Sequence, residues 1–218
     1  MSTQNPVVII TGANNGIGFH MAAALLEERY RVAGFDLSGE DLAALQETYP
    51  DHLLFCRCDV TDEAQVEAAV EAIVEKWDRI DVLPQMKTQG GGIIHNVSSG
   101  VGITGFPGIY GYASTKGAIE ALTRTLALEL ARYGVSVNLM HPPLTDTKSA
   151  SPLGIPSQAM ADPADVGRRL AKKILSTKPV ITPNFQTTAY LFLARRYPGA
   201  VGKLFSKMAE REKNTYRR

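Results

Sequence analysis

Residues 7–18 read VVIITGANNGIG. The run at 7–10 is apolar and β-branched, which is typical of a strand buried on both faces of a parallel sheet. Three glycines follow directly, at 12, 16 and 18, and a helical pattern begins after them. A pyrophosphate requires a tight turn, a close approach of the backbone and a helix N-terminus facing its charge. The stretch therefore predicts a strand–loop–helix unit that holds a dinucleotide, with a tight turn without ligand as the alternative.

Outward from this unit, strand patterns alternate with helical patterns along the whole chain. This alternation predicts an α/β fold of three layers around a doubly wound parallel sheet. We predict one domain over 1–218, in which 148–218 forms the substrate loop and the C-terminal helices. The predicted strands are 7–11, 31–36, 53–60, 80–83, 92–97, 135–140 and 180–182. One predicted helix follows residue 18, and the next begins at Ser38, which forms an N-cap pair with Asp41. Two more span 62–77 and 112–133. A further helix begins at Asp162–Pro163, and the last two helices are divided by Pro198–Gly199.

Composition excludes several classes of protein. The 218 residues carry a net charge of +1, so overall charge indicates no nucleic-acid partner. Residues 1–6 are polar and no run of about 18 apolar residues occurs, which predicts a cytoplasmic protein. Cys56 and Cys58 have no second pair of cysteines for zinc, so we predict buried free thiols and no metal site. Residues 195–218 hold eight Lys/Arg and two Asp/Glu; we favour a solvated tail over docking on anionic lipid.

The ends of the second and third predicted strands extend the dinucleotide site. Asp36 lies 18 residues after Gly18 and can accept hydrogen bonds from both adenosine ribose hydroxyls, while repelling a 2′-phosphate. No Lys or Arg lies in the loop or just after Asp36, so we predict NAD rather than NADP. Asp59 can accept from the adenine amino group or cap the next turn. The predicted cofactor-binding residues here are Gly12, Asn14, Asn15, Gly16, Ile17, Gly18, Asp36, Leu37, Asp59 and Val60.

A second group of residues predicts chemistry. Tyr112 and Lys116 are four residues apart, so a helix places both side chains on one face. A nearby ammonium favours the phenolate form of tyrosine, which makes Tyr112 a usable general acid/base. Such pairs are common on protein surfaces. Ser99 strengthens the interpretation, because it ends an apolar strand 13 residues earlier and its hydroxyl can hold a substrate oxygen near Tyr112.

Six motifs now occur in the order of the short-chain dehydrogenase/reductase family, which the chain resembles over about residues 5–182. They are TGANNGIG, the strand end at Asp36, CDV at 58–60, NVSSG at 96–100, YASTK at 112–116 and NLMHPPLTDT at 138–147. The resemblance implies a seven-stranded Rossmann sheet and hydride transfer between a nicotinamide ring and an alcohol or ketone carbon.

The resemblance also implies individual roles. Ser99 corresponds to the substrate-binding serine, Tyr112 to the acid/base and Lys116 to the residue that binds the nicotinamide ribose and tunes the tyrosine. The further cofactor-binding positions that it implies are Asn96, Pro142, Thr145 and Thr147. The family usually has Pro-Gly where this chain has Pro142–Pro143, and proline lacks an N–H and fixes φ, so we expect a reshaped loop there.

The stretch RIDVLPQMKTQGGG at 79–92 is the largest departure. The family has a strand ending in Asn-Asn-Ala-Gly and then a long helix with a catalytic Asn. Here 79–81 resembles the start of that strand, and 82–87 resembles the last turn of that helix. We therefore expect an internal deletion near 81–84, with strand four and its helix shortened or missing. The lost helix also pairs subunits in the family, so a homo-oligomer is expected to be weakened.

Two functions remain open at this point. The first is an NAD-dependent oxidoreductase acting on a small alcohol or ketone. The alternative is a nucleotide-binding pseudoenzyme without turnover, because the helix Asn is absent. The loop 148–161, where family members contact substrate, is moderately apolar, which hints at a lipophilic substrate.

Overall fold

The computed structural model describes residues 6–78, 82–153 and 155–215. The chain divides into two compact units, the first comprising residues up to 89 together with 163–172, and the second 90–162 together with 173–218. Each unit contains its own three-stranded parallel sheet. Both sheets are parallel with helices between successive strands, as the α/β prediction requires. The prediction of a single domain over 1–218 stays a prediction.

The elements follow one another in the alternating order expected from the sequence. The strands are β1 (Val7–Thr11), β2 (Arg31–Asp36), β3 (Leu53–Arg57), β4 (Gly92–Val97), β5 (Val135–Met140) and β6 (Val180–Ile181). The helices are α1 (Gly16–Glu27), α2 (Glu40–Thr48), α3 (Glu63–Trp77), α4 (Leu83–Gln89), α5 (Val101–Thr104), α6 (Tyr110–Leu130), α7 (Pro163–Ala171), α8 (Phe185–Arg196) and α9 (Pro198–Thr215). Short 3₁₀ turns lie at Ala131–Tyr133, Lys148–Leu153 and Ser157–Ala159.

In the first unit β2 lies between β1 and β3. Its Val32 and Ala33 are fully buried, because a central parallel strand is covered on both faces. Cys56 and Cys58 pack into the same core. Both are buried free cysteines, so the predicted buried thiols are confirmed.

The predicted strand over 80–83 is wrong for the residues that can be assessed. Val82 is in no regular element and Leu83 begins α4, while 80 and 81 lie outside the described residues. Pro84 does not prevent this helix, because it lies in the first turn, where backbone N–H groups have no intrahelical partner. The structure does not test whether a strand and the helix after it have been deleted near 81–84, which stays a prediction.

Two of the predicted helix starts have different outcomes. Asp62 caps α3 as an N-cap residue, since its side chain accepts from the backbone N–H groups of Ala64 and Gln65. Ser38 does not cap α2, which begins at Glu40 after an N-cap glycine without a side-chain bond. The N–H groups of that first turn find a distant acceptor instead, which is described with the site below.

In the second unit β5 lies between β4 and β6. The long helix α6 packs against β5 and is followed by a 3₁₀ turn to Tyr133, close to the predicted span of 112–133. The two C-terminal helices are divided next to Pro198, as predicted, and Pro198 is the first residue of α9. Among the helices that the structure describes, none combines the length and apolar character that crossing a bilayer needs.

Candidate functional site

The glycine loop of the first unit has the backbone that its sequence predicts. Gly12 and Gly16 have φ of 69° and 52°, values that glycine adopts without strain. Gly18 is constrained by contact instead: a Cβ there would lie 2.2 Å from the carbonyl oxygen of Gly12. The first turn of α1 therefore packs directly on the loop, and Asn15 before it has an extended backbone.

We expect Gly18→Ala to lower the stability of the protein by about 1–3 kcal/mol, because the added methyl must displace a backbone carbonyl. Gly111→Ala is the matched control, since a Cβ there meets nothing within 4 Å and Ala favours a helix by about 1 kcal/mol over Gly. Chemical denaturation monitored by circular dichroism measures both. Equal stability of the two variants would contradict the close contact.

Asp36 is a preorganised acceptor at the end of β2. Its two carboxylate oxygens accept from the backbone N–H groups of Asn14, at 2.9 Å, and Leu37, at 2.8 Å. Leu37 itself is exposed. Each carboxylate oxygen has a further lone pair, so Asp36 can still accept from ligand hydroxyls.

Asn14 connects the glycine loop to α2. Its buried side-chain oxygen accepts from the backbone N–H groups of Asp41, at 2.9 Å, and Leu42, at 3.0 Å. Its amide nitrogen donates to the hydroxyl of Ser38 at 3.1 Å. Asn14 thus satisfies the first turn of α2 from 27 residues away, which is why Ser38 does not cap that helix. These side-chain groups are used inside the protein, and a cofactor contact of Asn14 stays a prediction.

Asp59 follows β3 and forms a turn. One of its carboxylate oxygens accepts from the backbone N–H of Thr61 at 3.0 Å and from its hydroxyl at 2.7 Å. These two hydrogen bonds hold the pKa of Asp59 below its usual value. The turn-capping interpretation of Asp59 is therefore the one observed, while adenine contacts of Asp59 and of the exposed Val60 stay predictions.

In the second unit, the end of β4 and the start of α6 are joined through Lys116. Its ammonium donates to the carbonyl of Val97 at 2.8 Å and lies 5.6 Å from the ring centroid of Tyr112. Burial lowers the pKa of Lys116. An ammonium has three N–H donors, and this contact uses one of them.

The turn that follows Ser99 packs on the same helix. A Cβ on Gly102 in α5 would lie 2.7 Å from the backbone carbon of Lys116, so the turn after Ser99 packs tightly on α6. The neighbouring Ser98 is buried and donates its hydroxyl to the carbonyl of Lys116 at 3.2 Å. Ser99 is partly exposed. The segment that carries Ser99 therefore packs against the helix that carries Tyr112 and Lys116, inside the second unit.

The remaining predicted positions lie elsewhere in the second unit. The amide of Asn96 donates to the hydroxyl of Thr123 on α6 at 3.0 Å. Thr145 is buried, and its hydroxyl donates to the carbonyl of Pro143 at 2.8 Å. Pro142 and Thr147 are partly exposed on the loop after β5. Their contacts with a cofactor stay predictions.

A buried ionic network beneath these residues was missed by sequence reasoning. Glu120 on α6 is 4% exposed and its carboxylate lies 2.7 Å from Nε2 of His141, a residue with no exposure. Arg195 reaches the same carboxylate at 3.3 Å and Arg124 at 3.5 Å. Burial raises the pKa of Glu120, but the neighbouring His141 and the charge of Arg195 lower it by more, so the net pKa is below the usual value. The available signal was a glutamate one turn after Lys116, on the same helix face.

Known proteins share both the sequence pattern and the fold. The model of the short chain dehydrogenase family matches residues 6–85 and 82–155, in two pieces that meet where the sequence departs from the family. Levodione reductase of Leifsonia aquatica is 32% identical over 79% of this chain and 80% of its own length.

Two solved structures show the same fold at lower identity. A 3-ketoacyl-(acyl-carrier-protein) reductase from Brucella melitensis, complexed with NADH, has a TM-score of 0.72 and 23% identity, covering 84% of this chain and 96% of its own. An actinorhodin polyketide ketoreductase variant with NADPH has a TM-score of 0.71 and 22% identity, covering 84% and 97%. The matched motifs, the alternating parallel folding and these likenesses agree. The chain belongs to the short chain dehydrogenase family.

Proposed function

We propose that this protein is an NAD(H)-dependent oxidoreductase that interconverts an alcohol and a ketone, with Tyr112 as the general acid/base. The observation that carries the proposal is the anchored Lys116, whose ammonium is fixed on the carbonyl of Val97 at 2.8 Å and lies 5.6 Å from the Tyr112 ring. An ammonium in this place stabilises the negative charge that forms on the phenolic oxygen during proton transfer.

The residues present fit a nicotinamide dinucleotide. The open glycine turn leaves space at Gly12, where a Cβ would meet nothing within 4 Å, and Asp36 presents a carboxylate already oriented by two N–H groups. Gly12, Gly16 and Gly18 would hold the pyrophosphate, and Asp36 the adenosine ribose. When bound, the nicotinamide ring supplies or accepts the hydride.

The chain's own residues then handle the substrate oxygen and its proton. In the direction of reduction, the Ser99 hydroxyl donates a hydrogen bond to the carbonyl oxygen and orients it. The Tyr112 hydroxyl would give its proton to that oxygen, and Lys116 would stabilise the resulting phenolate. In oxidation the same phenolate removes the alcohol proton.

The substrate is proposed to be a small, lipophilic alcohol or ketone, because the loop 148–161 is moderately apolar. A cytoplasmic location stays a prediction from the sequence. The pseudoenzyme alternative finds no support among the relatives, which are named as reductases or dehydrogenases.

The proposal is tested by measuring NADH oxidation by the purified protein against a panel of cyclic and long-chain ketones. We expect turnover with at least one lipophilic ketone. Binding of NADH, seen by fluorescence titration, without turnover on any member of the panel would overturn the proposed activity.

The choice of NAD depends on the charge of Asp36. We expect NADH to bind at least tenfold more tightly than NADPH, a free-energy difference of about 1.4 kcal/mol, because the carboxylate repels a 2′-phosphate. In Asp36→Asn this preference should fall about tenfold, since the amide still accepts hydrogen bonds but carries no charge. Asp41→Asn, an exposed acid in the first turn of α2, is the matched control and should leave both dissociation constants unchanged. Tighter binding of NADPH by the unaltered protein would refute the assignment.

A further inference from the structure

A groove of about 380 Å³ lies beside β6 and α8 in the second unit, apart from the residues assigned to catalysis. Its walls include Val180, Leu191 and Phe192, and its cationic side chains are Arg195 and Arg196. The volume is near the lower end of the range for small-molecule sites. The ligand that fits such a groove is therefore small and largely apolar.

The side chains that line the groove favour a ligand with a negative charge. None of its seven lining residues is acidic. Arg196 stacks on the ring of Tyr197, with 5.0 Å between guanidinium and ring centroid. In the part of the chain that the structure describes, no carboxylate lies within ion-pair distance of Arg196. Its guanidinium is therefore free to pair with an anion from outside.

The apolar part of the groove is also left open to solvent. Phe192 is 71% exposed, although the neighbouring Leu191 is only 4% exposed. Covering an exposed phenylalanine is favourable in proportion to the apolar area removed from water. A hydrocarbon chain along Val180 and Phe192 would provide this cover.

We propose that the groove binds a small anionic amphiphile, with its carboxylate on Arg196 and its hydrocarbon chain against Val180 and Phe192. Guanidinium and carboxylate form paired, charge-assisted hydrogen bonds, and the apolar wall accounts for the rest of the affinity. This site is independent of hydride transfer and remains testable if the proposed activity fails.

Octanoate is the probe, with 1-octanol as its uncharged counterpart, and isothermal titration calorimetry gives the dissociation constants. We expect octanoate to bind with one site per chain and about tenfold more tightly than octanol, because the octanol lacks the ion pair. Arg196→Gln should weaken octanoate about tenfold and leave octanol unchanged. Phe192→Ser should weaken both ligands. Arg196 is exposed, so its variant is expected to fold, which a thermal melt checks.

Arg132→Gln is the matched control. Arg132 also stacks on the tyrosine that follows it, with 4.8 Å between guanidinium and centroid, but it does not line the groove. Arg195 is not used, because its substitution would also disturb Glu120. Octanoate binding that is equally strong in Arg196→Gln and Arg132→Gln would overturn the proposal. Binding of phosphatidylglycerol vesicles that depends on Arg196, without binding of monomeric octanoate, would also overturn it in favour of a membrane surface.

Discussion

Replacing Tyr112 with phenylalanine is expected to lower kcat for carbonyl reduction by about 10²–10⁴-fold. The substitution removes only the hydroxyl that we propose transfers the proton, and Tyr112 is 50% exposed, so stability should change little. Lys116 remains anchored on the carbonyl of Val97. NADH binding is therefore expected to stay within a factor of three of the unaltered protein.

Tyr110→Phe is the matched control for this experiment. Tyr110 lies in the first turn of the same helix and is 86% exposed, so loss of its hydroxyl should leave kcat unchanged. Steady-state kinetics with the best ketone of the panel, together with NADH fluorescence titration, separates chemistry from binding. If Tyr112→Phe retained full activity, the proton would have to come from another group and the assigned role would be wrong.

The second large effect concerns stability rather than chemistry. Glu120→Gln is expected to lower the free energy of unfolding by about 3 kcal/mol, because removing one partner from a buried ion pair leaves the other charge uncompensated. For a chain of this size the midpoint of thermal unfolding should fall by about 6–12 °C.

Glu129→Gln tests whether burial is the cause. Glu129 lies on the same helix but is exposed, and substitution there should change stability by no more than about 0.5 kcal/mol. Equal losses at Glu120 and Glu129, measured by urea denaturation, would argue against a buried network.

The contribution of Glu120 should also depend on pH, with a defined sign. The folded protein holds the pKa of Glu120 below the usual glutamate value, so unfolding takes up a proton in acid. The stabilisation is then fully present above the unfolded pKa of about 4.3 and is lost as the pH falls through the folded pKa. The difference between the unaltered protein and Glu120→Gln should therefore narrow progressively below about pH 4.5.

Local sequence patterns predicted most of the elements, because each depends on neighbours a few residues away. β4 and β5 have their predicted bounds of 92–97 and 135–140, and α3 at Glu63–Trp77 differs from its predicted span of 62–77 by one residue. The glycine pattern predicted a tight turn, and the structure has a positive φ at Gly12 in that turn. The interactions across long stretches of chain could not be predicted in this way.

Two features show this limit. Ser38 satisfied the local rule for a helix N-cap, but Asn14, 27 residues from Asp41, provides the acceptor instead. Glu120 had the appearance of an ordinary polar residue on a helix, and only the fold places it beside His141. The strength of the interaction between such groups depends on their burial. The local sequence does not show which residues will be buried together.

The link between Asn14 and the start of α2 bears on engineering of cofactor use. Exchanging residues 37–42 for the matching segment of an NADP-using relative would replace the backbone donors at Asp41 and Leu42 that meet the Asn14 side chain. A graft that shifts these donors by one residue would leave the buried side-chain oxygen of Asn14 without its hydrogen-bond donors. The turn that precedes α1 would then loosen. Redesigned segments should therefore keep both the length of this connection and Asn14, and vary only the side chains that face outward.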